Sequence, residues 1–134
     1  MVNEAVWEVN TGLATNFTVA DGTGIEKGTI CTLTDPLTAS QTTASGAAIA
    51  GIAVEEKIAS DGRTQLGMLR EGRFKVTASG SITAGDGLIL AANGVNQVLT
   101  AGRNPQIPQV GIALETATDQ ETFFMELRPT GGTA

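Results

Sequence analysis

Apolar residues along this chain alternate with polar ones over short stretches and do not fall at helical spacing. From Arg73 to Ala78, Phe74, Val76 and Ala78 point one way while Arg73, Lys75 and Thr77 point the other. Thr122 to Arg128 repeats the pattern, with Phe123, Met125 and Leu127 sharing a face. No window carries an i, i+3, i+4, i+7 stripe, and the apolar runs are broken by Gly, Asn and Asp, which predicts a sandwich or barrel. Asp61-Gly62, between Gly51–Ile58 and Thr64–Arg70, and Asn93-Gly94, between Gly87–Ala91 and Val95–Thr100, predict hairpin turns. Asp35 to Gly46 and Ala101 to Gln109 read as loops, the first rich in Thr, Ser and Ala, the second carrying Pro105 and Pro108.

The pattern occurs twice. Ile25-Glu26-Lys27-Gly28 leads to Gly51-Ile52-Ala53-Val54-Glu55, and Ile82-Thr83-Ala84-Gly85 leads to Gly111-Ile112-Ala113-Leu114-Glu115. The offsets are 57 (28 to 85) and 60 (51 to 111). Each copy closes on Leu-Arg, Leu69-Arg70 and Leu127-Arg128, at an offset of 58. A near-constant offset predicts a duplicated supersecondary unit, and two copies are too few for a solenoid. The expected fold is all-β: a compact β-barrel or sandwich of two tandem pseudo-symmetric repeats, about 25–71 and about 82–128, in a single β domain spanning 25–129. Residues 1–24 have no counterpart ahead of the second repeat and predict an extended N-terminal arm, in which Ala5, Trp7 and Val9 alternate with Val6, Glu8 and Asn10. Residues 130–134 predict a flexible tail.

Composition narrows the chemistry. A chain of 134 residues buries roughly two-thirds of its unfolded surface and needs no metal or disulfide to fold. The lone cysteine, Cys31, has no internal partner and reads as a small buried hydrophobe. No apolar run approaches the roughly twenty residues of a membrane span, and Met1-Val2-Asn3-Glu4 lacks the features of a signal peptide. Net charge is −6, with three lysines and five arginines scattered, so no basic patch for nucleic acid is expected.

There is no histidine, which removes Ser-His-Asp and Cys-His arrangements and leaves a poor donor set for zinc. Gly80-Ser81-Ile82-Thr83-Ala84-Gly85-Asp86 has phosphate-loop glycine spacing without the required lysine. Glu55, Glu56 and Glu115 invite a carboxylate-pair reading. Glu55 and Glu115, however, occupy equivalent places in the two repeats, so duplication accounts for their recurrence. No catalytic residue, cofactor or metal is expected. Trp7 is the sharpest binding candidate: it either folds back on its own domain or fills a pocket on another chain, since Trp is enriched in interface hot spots. Val9 and Phe17 join it as partner-binding candidates on the predicted arm.

Gly51-Ile52-Ala53-Val54-Glu55, Gly111-Ile112-Ala113-Leu114-Glu115-Thr116-Ala117 and Thr77-Ala78-Ser79-Gly80-Ser81-Ile82-Thr83-Ala84-Gly85-Asp86 resemble the small capsid decoration, or cement, proteins of tailed bacteriophages. The resemblance covers roughly residues 24–128. It implies a non-enzymatic β-barrel-like virion protein, assembled in the host cytoplasm. It further implies a homotrimer that binds the major capsid protein on the outer surface of the head and cements neighbouring capsomers. Nucleic acid and membrane are not expected partners. The alternative is a ligand- or carbohydrate-binding β domain of a virion or cell surface. That alternative wants an aromatic cluster, and one Trp, four Phe and no Tyr supply it poorly. A third reading, a hydrolase using Asp and Glu alone, needs two carboxyl groups about 5–10 Å apart in a cleft.

Overall fold

The computed structural model describes residues 6–9 (backbone only), 14–41, 45–91, 96–101 and 107–131. The described residues form eleven strands and contain no helix. They are β1 (Val6–Val9), β2 (Thr15–Thr18), β3 (Ile30–Thr34), β4 (Thr38–Ser40), β5 (Ile49–Ala53), β6 (Gln65–Leu69), β7 (Gly72–Ala78), β8 (Gly87–Leu90), β9 (Gln97–Thr100), β10 (Gln109–Ala113) and β11 (Thr122–Thr130).

The first five after β1 form a closed barrel in the order β2-β4-β3-β5-β6. Antiparallel pairing joins neighbours around it, and the parallel pairing of β2 with β4 at Thr18 and Thr38 completes the circuit. The remaining strands form a sheet in the order β1-β7-β11-β10-β8-β9, with an additional parallel pairing of β7 and β9. That pairing brings β7, β11, β10, β8 and β9 into a second five-stranded circuit with the connectivity of the first. β1 lies outside it, antiparallel on the Arg73–Lys75 stretch of β7.

Several backbone hydrogen bonds of one unit have counterparts in the other. Ile25 and Lys57 exchange hydrogen bonds of 2.9 and 2.7 Å, and Ile82 and Ala117 exchange two of 2.9 Å. Gly28 donates to the Ala53 carbonyl at 2.9 Å, as Gly85 does to Ala113 at 2.8 Å. Val54 donates to Gly67, and Leu114 to Phe124. Ser60 and Gln120 both have positive φ, 62° and 67°. The offset is 57 along β3/β8 and β6/β11 (Gly28 to Gly85, Gly67 to Phe124) and 60 along β5/β10 (Ala53 to Ala113).

Alternation along β7 and β11 sends Phe74, Val76, Phe123, Met125 and Leu127 inward. β5 is buried on both sides because its faces serve two cores. Ala50 and Ala53 join Phe17, Val19, Cys31, Leu66 and Met68 inside the first barrel. Ile49 and Ile52, with Ile30 and Leu69, join the core of the second unit. Residues 49 and 52 share a face because the β3–β5 register shifts between Cys31↔Gly51 and Thr32↔Ile49, leaving Ala50 as an extra residue. Gly51 sits at this bulge with φ 153°, and a Cβ there would lie 2.5 Å from the Leu69 carbonyl oxygen. Gly111, its counterpart, faces the Glu126 carbonyl oxygen as closely, beside the register shift in β10–β11.

Several expectations need revision. Residues 15–18, expected in an arm, form β2, which pairs with β6 over its whole length and closes the first barrel. The expected loop at 35–46 contains β4, a short strand held by β3. Thr130, expected in the tail, ends β11, while 132–134 lie outside the described residues. The Leu-Arg alignment is one residue out. Ala53 pairs with Met68 and Ala113 with Met125, so Leu69 corresponds to Glu126, not Leu127. A one-residue slip exchanges the faces of a strand, and a buried leucine at either position hides it. Asn93-Gly94 falls outside the described residues, although β8 and β9 on either side pair antiparallel.

Candidate functional site

The arm candidates separate. Trp7 and Val9 lie in β1, opposite Phe74 and Arg73 of β7, and their side chains are outside the described residues. Phe17 is 5% exposed in the core of the first barrel, opposite Leu66. Its apolar ring is therefore held inside the fold.

The glutamates are tied locally. Glu55 meets Arg63 at 3.4 Å on an exposed surface. The Glu115 carboxylate accepts from the Phe124 backbone at 2.9 Å. Each serves the turn of its own unit.

Lys57, which sequence reasoning did not single out, is 2% exposed. Its ammonium donates to the Asp21 carbonyl at 2.8 Å, the Ile58 carbonyl at 3.1 Å and the Asp61 carboxylate at 3.0 Å, with Asp21 Oδ1 at 3.4 Å. A buried charge is tolerated where hydrogen bonds and a counter-charge replace water. Asp61 also accepts from the backbone of Arg63 and Ile58. These bonds, the Arg63 amide first and the Lys57 ammonium next, hold its carboxyl below the usual range. The signal available in the sequence was the mismatch of Lys57 with Ala117 in the aligned repeats.

Asn96 joins the units. It is 2% exposed with φ 58°. Its side-chain amide donates to the Gly28 carbonyl at 2.8 Å, and its carbonyl oxygen accepts from the Ile30 amide at 2.8 Å. Gly46 adds a backbone bond of 3.0 Å to the Leu90 carbonyl. The start of β3 and the β4–β5 loop are thus stitched to the β8–β9 turn.

Outside this junction three large apolar side chains among the described residues stand in solvent: Leu37 at 70%, Ile58 at 64% and Leu114 at 42%. Leu33, Thr34, Asp35, Pro36 and Leu37 line a shallow depression at the β3–β4 turn. No group of three or more metal-ligating side chains occurs among the described residues. Cys31 is fully buried, and desolvation pushes its thiol up to about 12. The described residues thus display apolar turns and locally tied carboxylates.

The fold defines an all-β protein built on a closed five-stranded barrel and a second sheet. Residues 9–129 match the phage cement protein family. The chain belongs to that family and is a structural protein of the phage head. Its structure is similar to that of the head fiber gp8.5 N base in bacteriophage phi29, with a TM-score of 0.56 and 19% sequence identity, covering 86% of this chain and 94% of that one. At that identity the likeness is one of fold. No curated protein matches the sequence.

Proposed function

We propose that this protein decorates the outer surface of an assembled phage head, binds the major capsid protein as a homotrimer and cements neighbouring capsomers, without catalysing a reaction. The observation that carries this reading is the family match across residues 9–129. Locally anchored carboxylates and exposed Leu37, Ile58 and Leu114 agree with adhesion. On this reading the two units descend from one duplicated unit, the chain joins heads assembled in the host cytoplasm, and trimers bind tightly because several weak contacts engage together.

The N-terminal segment is the proposed capsid contact, through Trp7 and Val9. β1 is an edge strand of the second sheet, and an edge offers backbone groups to another chain's strand. The deletion that tests this removes residues 1–10, because a cut to residue 20 would take β2 out of the first barrel. Heads lacking the protein are mixed with full-length or shortened chains and imaged by cryo-electron microscopy. Full-length chains give outer density where capsomers meet, and the heads gain resistance to heat. Absence of density with full-length chains overturns the function. Undiminished occupancy with the shortened chain overturns only the role of the segment.

A further inference from the structure

We propose that copies of this chain associate head to tail, the Leu33–Leu37 turn of one copy seating on the Gly87, Gln109, Ile112 and Leu114 face of the next. The inference deepens the self-association proposed above, rests on that part alone, and does not depend on capsid binding.

The junction inside the chain has two sides. One side is the β8–β9 turn, where Asn96 and the Leu90 carbonyl contact the first unit. The other is a face of the first barrel: Ile30, Ile49, Ile52 and Leu69, with Val54 against them, all packed with the second unit's core.

Each side has a counterpart in the opposite unit. The Thr18 amide donates to the Leu37 carbonyl at 2.8 Å, as the Thr77 amide does to the Asn96 carbonyl at 3.2 Å. Leu37 and Asn96 also share positive φ, 44° and 58°. Leu37 is therefore the first unit's Asn96, and Leu33 its Leu90. In the second unit, Ile30, Ile49, Ile52, Val54 and Leu69 become Gly87, Gln109, Ile112, Leu114 and Glu126. All five first-unit residues are buried or packed at the junction. All five counterparts are half-buried or exposed.

A two-fold junction would seat the Leu37 turn on the second unit of its own chain. Leu37 is instead 70% exposed. The contact is heterologous, so each chain retains an unused turn at one end and an unused face at the other. A heterologous contact repeats from copy to copy and closes into a ring when the rotation allows. Chemistry favours a second copy as occupant. Asn96 makes polar bonds inside the chain, whereas Leu37, Pro36 and Leu33 offer apolar contact, and Ile112 and Leu114 offer the same on the receiving face. Two large exposed hydrophobics, Leu37 and Leu114, thus fall on the two halves of one predicted interface.

The test measures mass in solution by light scattering and sedimentation across a dilution series, for wild type, Leu37→Asp, Leu114→Asp and an equimolar mixture of the variants. Wild type is expected to be oligomeric. Each variant alone should fall to single chains, with dissociation shifted at least tenfold in concentration and an unchanged thermal midpoint. The mixture should form two-chain species and stop there, because it contains one intact turn and one intact face per pair. A second measurement mixes Leu37→Cys chains with Leu114→Cys chains under mild oxidation and expects a disulfide between unlike chains. An unchanged oligomer in both Asp variants, or no crosslink between unlike chains in an oligomeric sample, overturns the surfaces while self-association stands. Wild type that stays a single chain throughout overturns both.

Discussion

The two units make matching backbone hydrogen bonds and differ in what their side chains do with them. At one site the first unit has Lys57, a buried ammonium holding Asp21 and Asp61, and the second has Ala117. At another, the second unit has Asn96, turned into its neighbour, and the first has Leu37, turned into solvent. Hydrogen bonds between main-chain groups are indifferent to residue type, so the framework tolerates these exchanges. The side chains decide which faces close inside the chain and which stay open.

The largest expected effect breaks what the units share. Gly51→Ala and Gly111→Ala each place a Cβ against a strand carbonyl. Each should cost about 3 kcal/mol or more, seen as a lowered denaturant midpoint. Tolerance at one position alone would mean that the bulges are not constrained alike, and tolerance at both that neither backbone is held against its strand carbonyl. Next come the sites where the units differ. Asn96→Ala leaves the Ile30 amide and Gly28 carbonyl unpaired in a buried place, so a loss of about 2–3 kcal/mol is expected. Leu37→Ala, at the matching position, should change monomer stability by about 0.5 kcal/mol at most. Equal losses would erase the distinction between a used and an unused turn.

Lys57→Ala should cost about 2 kcal/mol, and Lys57→Met less, because Met keeps the buried stem and Asp21 and Asp61 can turn to water. The smallest effect depends on pH. Asp61 and its counterpart Glu121 both have lowered pKa values, Glu121 chiefly through the Thr118 amide. A carboxyl whose folded pKa lies below its unfolded one stabilises the fold above the unfolded value and loses that contribution as pH falls through the folded value. Stability should hold down to the ordinary values of 4.5 and 3.8, then decline. Asp61→Asn should flatten that decline in the first unit and Glu121→Gln in the second.

Much of this was legible in the chain. Alternation at 73–78 and 122–128 gave β7 and β11, and the Gly-Ile-Ala motifs gave β5 and β10. Other parts depended on distant pairing. Thr15–Thr18 is mostly polar and becomes a strand because β6 and β4 flank it. Thr38–Ser40 has no apolar run and is ordered by β3. The slip between Leu69-Arg70 and Leu127-Arg128 was invisible because both leucines are buried, one under the second unit and one inside it. Phe17 looked available while its segment read as an arm, and β2 places it in a core. Asn96 was missed because the groups it bonds in the first unit are backbone groups, which leave no mark on composition, and Lys57 because two of its contacts are backbone carbonyls and Asp21 lies far from it in the chain.

Cys31 has a practical consequence. A thiol that is fully buried and pushed up to about 12 reacts with alkylating reagents only when its surroundings open. It lies in the first barrel, away from the core that spans the junction. Its labelling rate therefore reports how often that barrel opens by itself, and whether opening slows once the protein is seated on a shell.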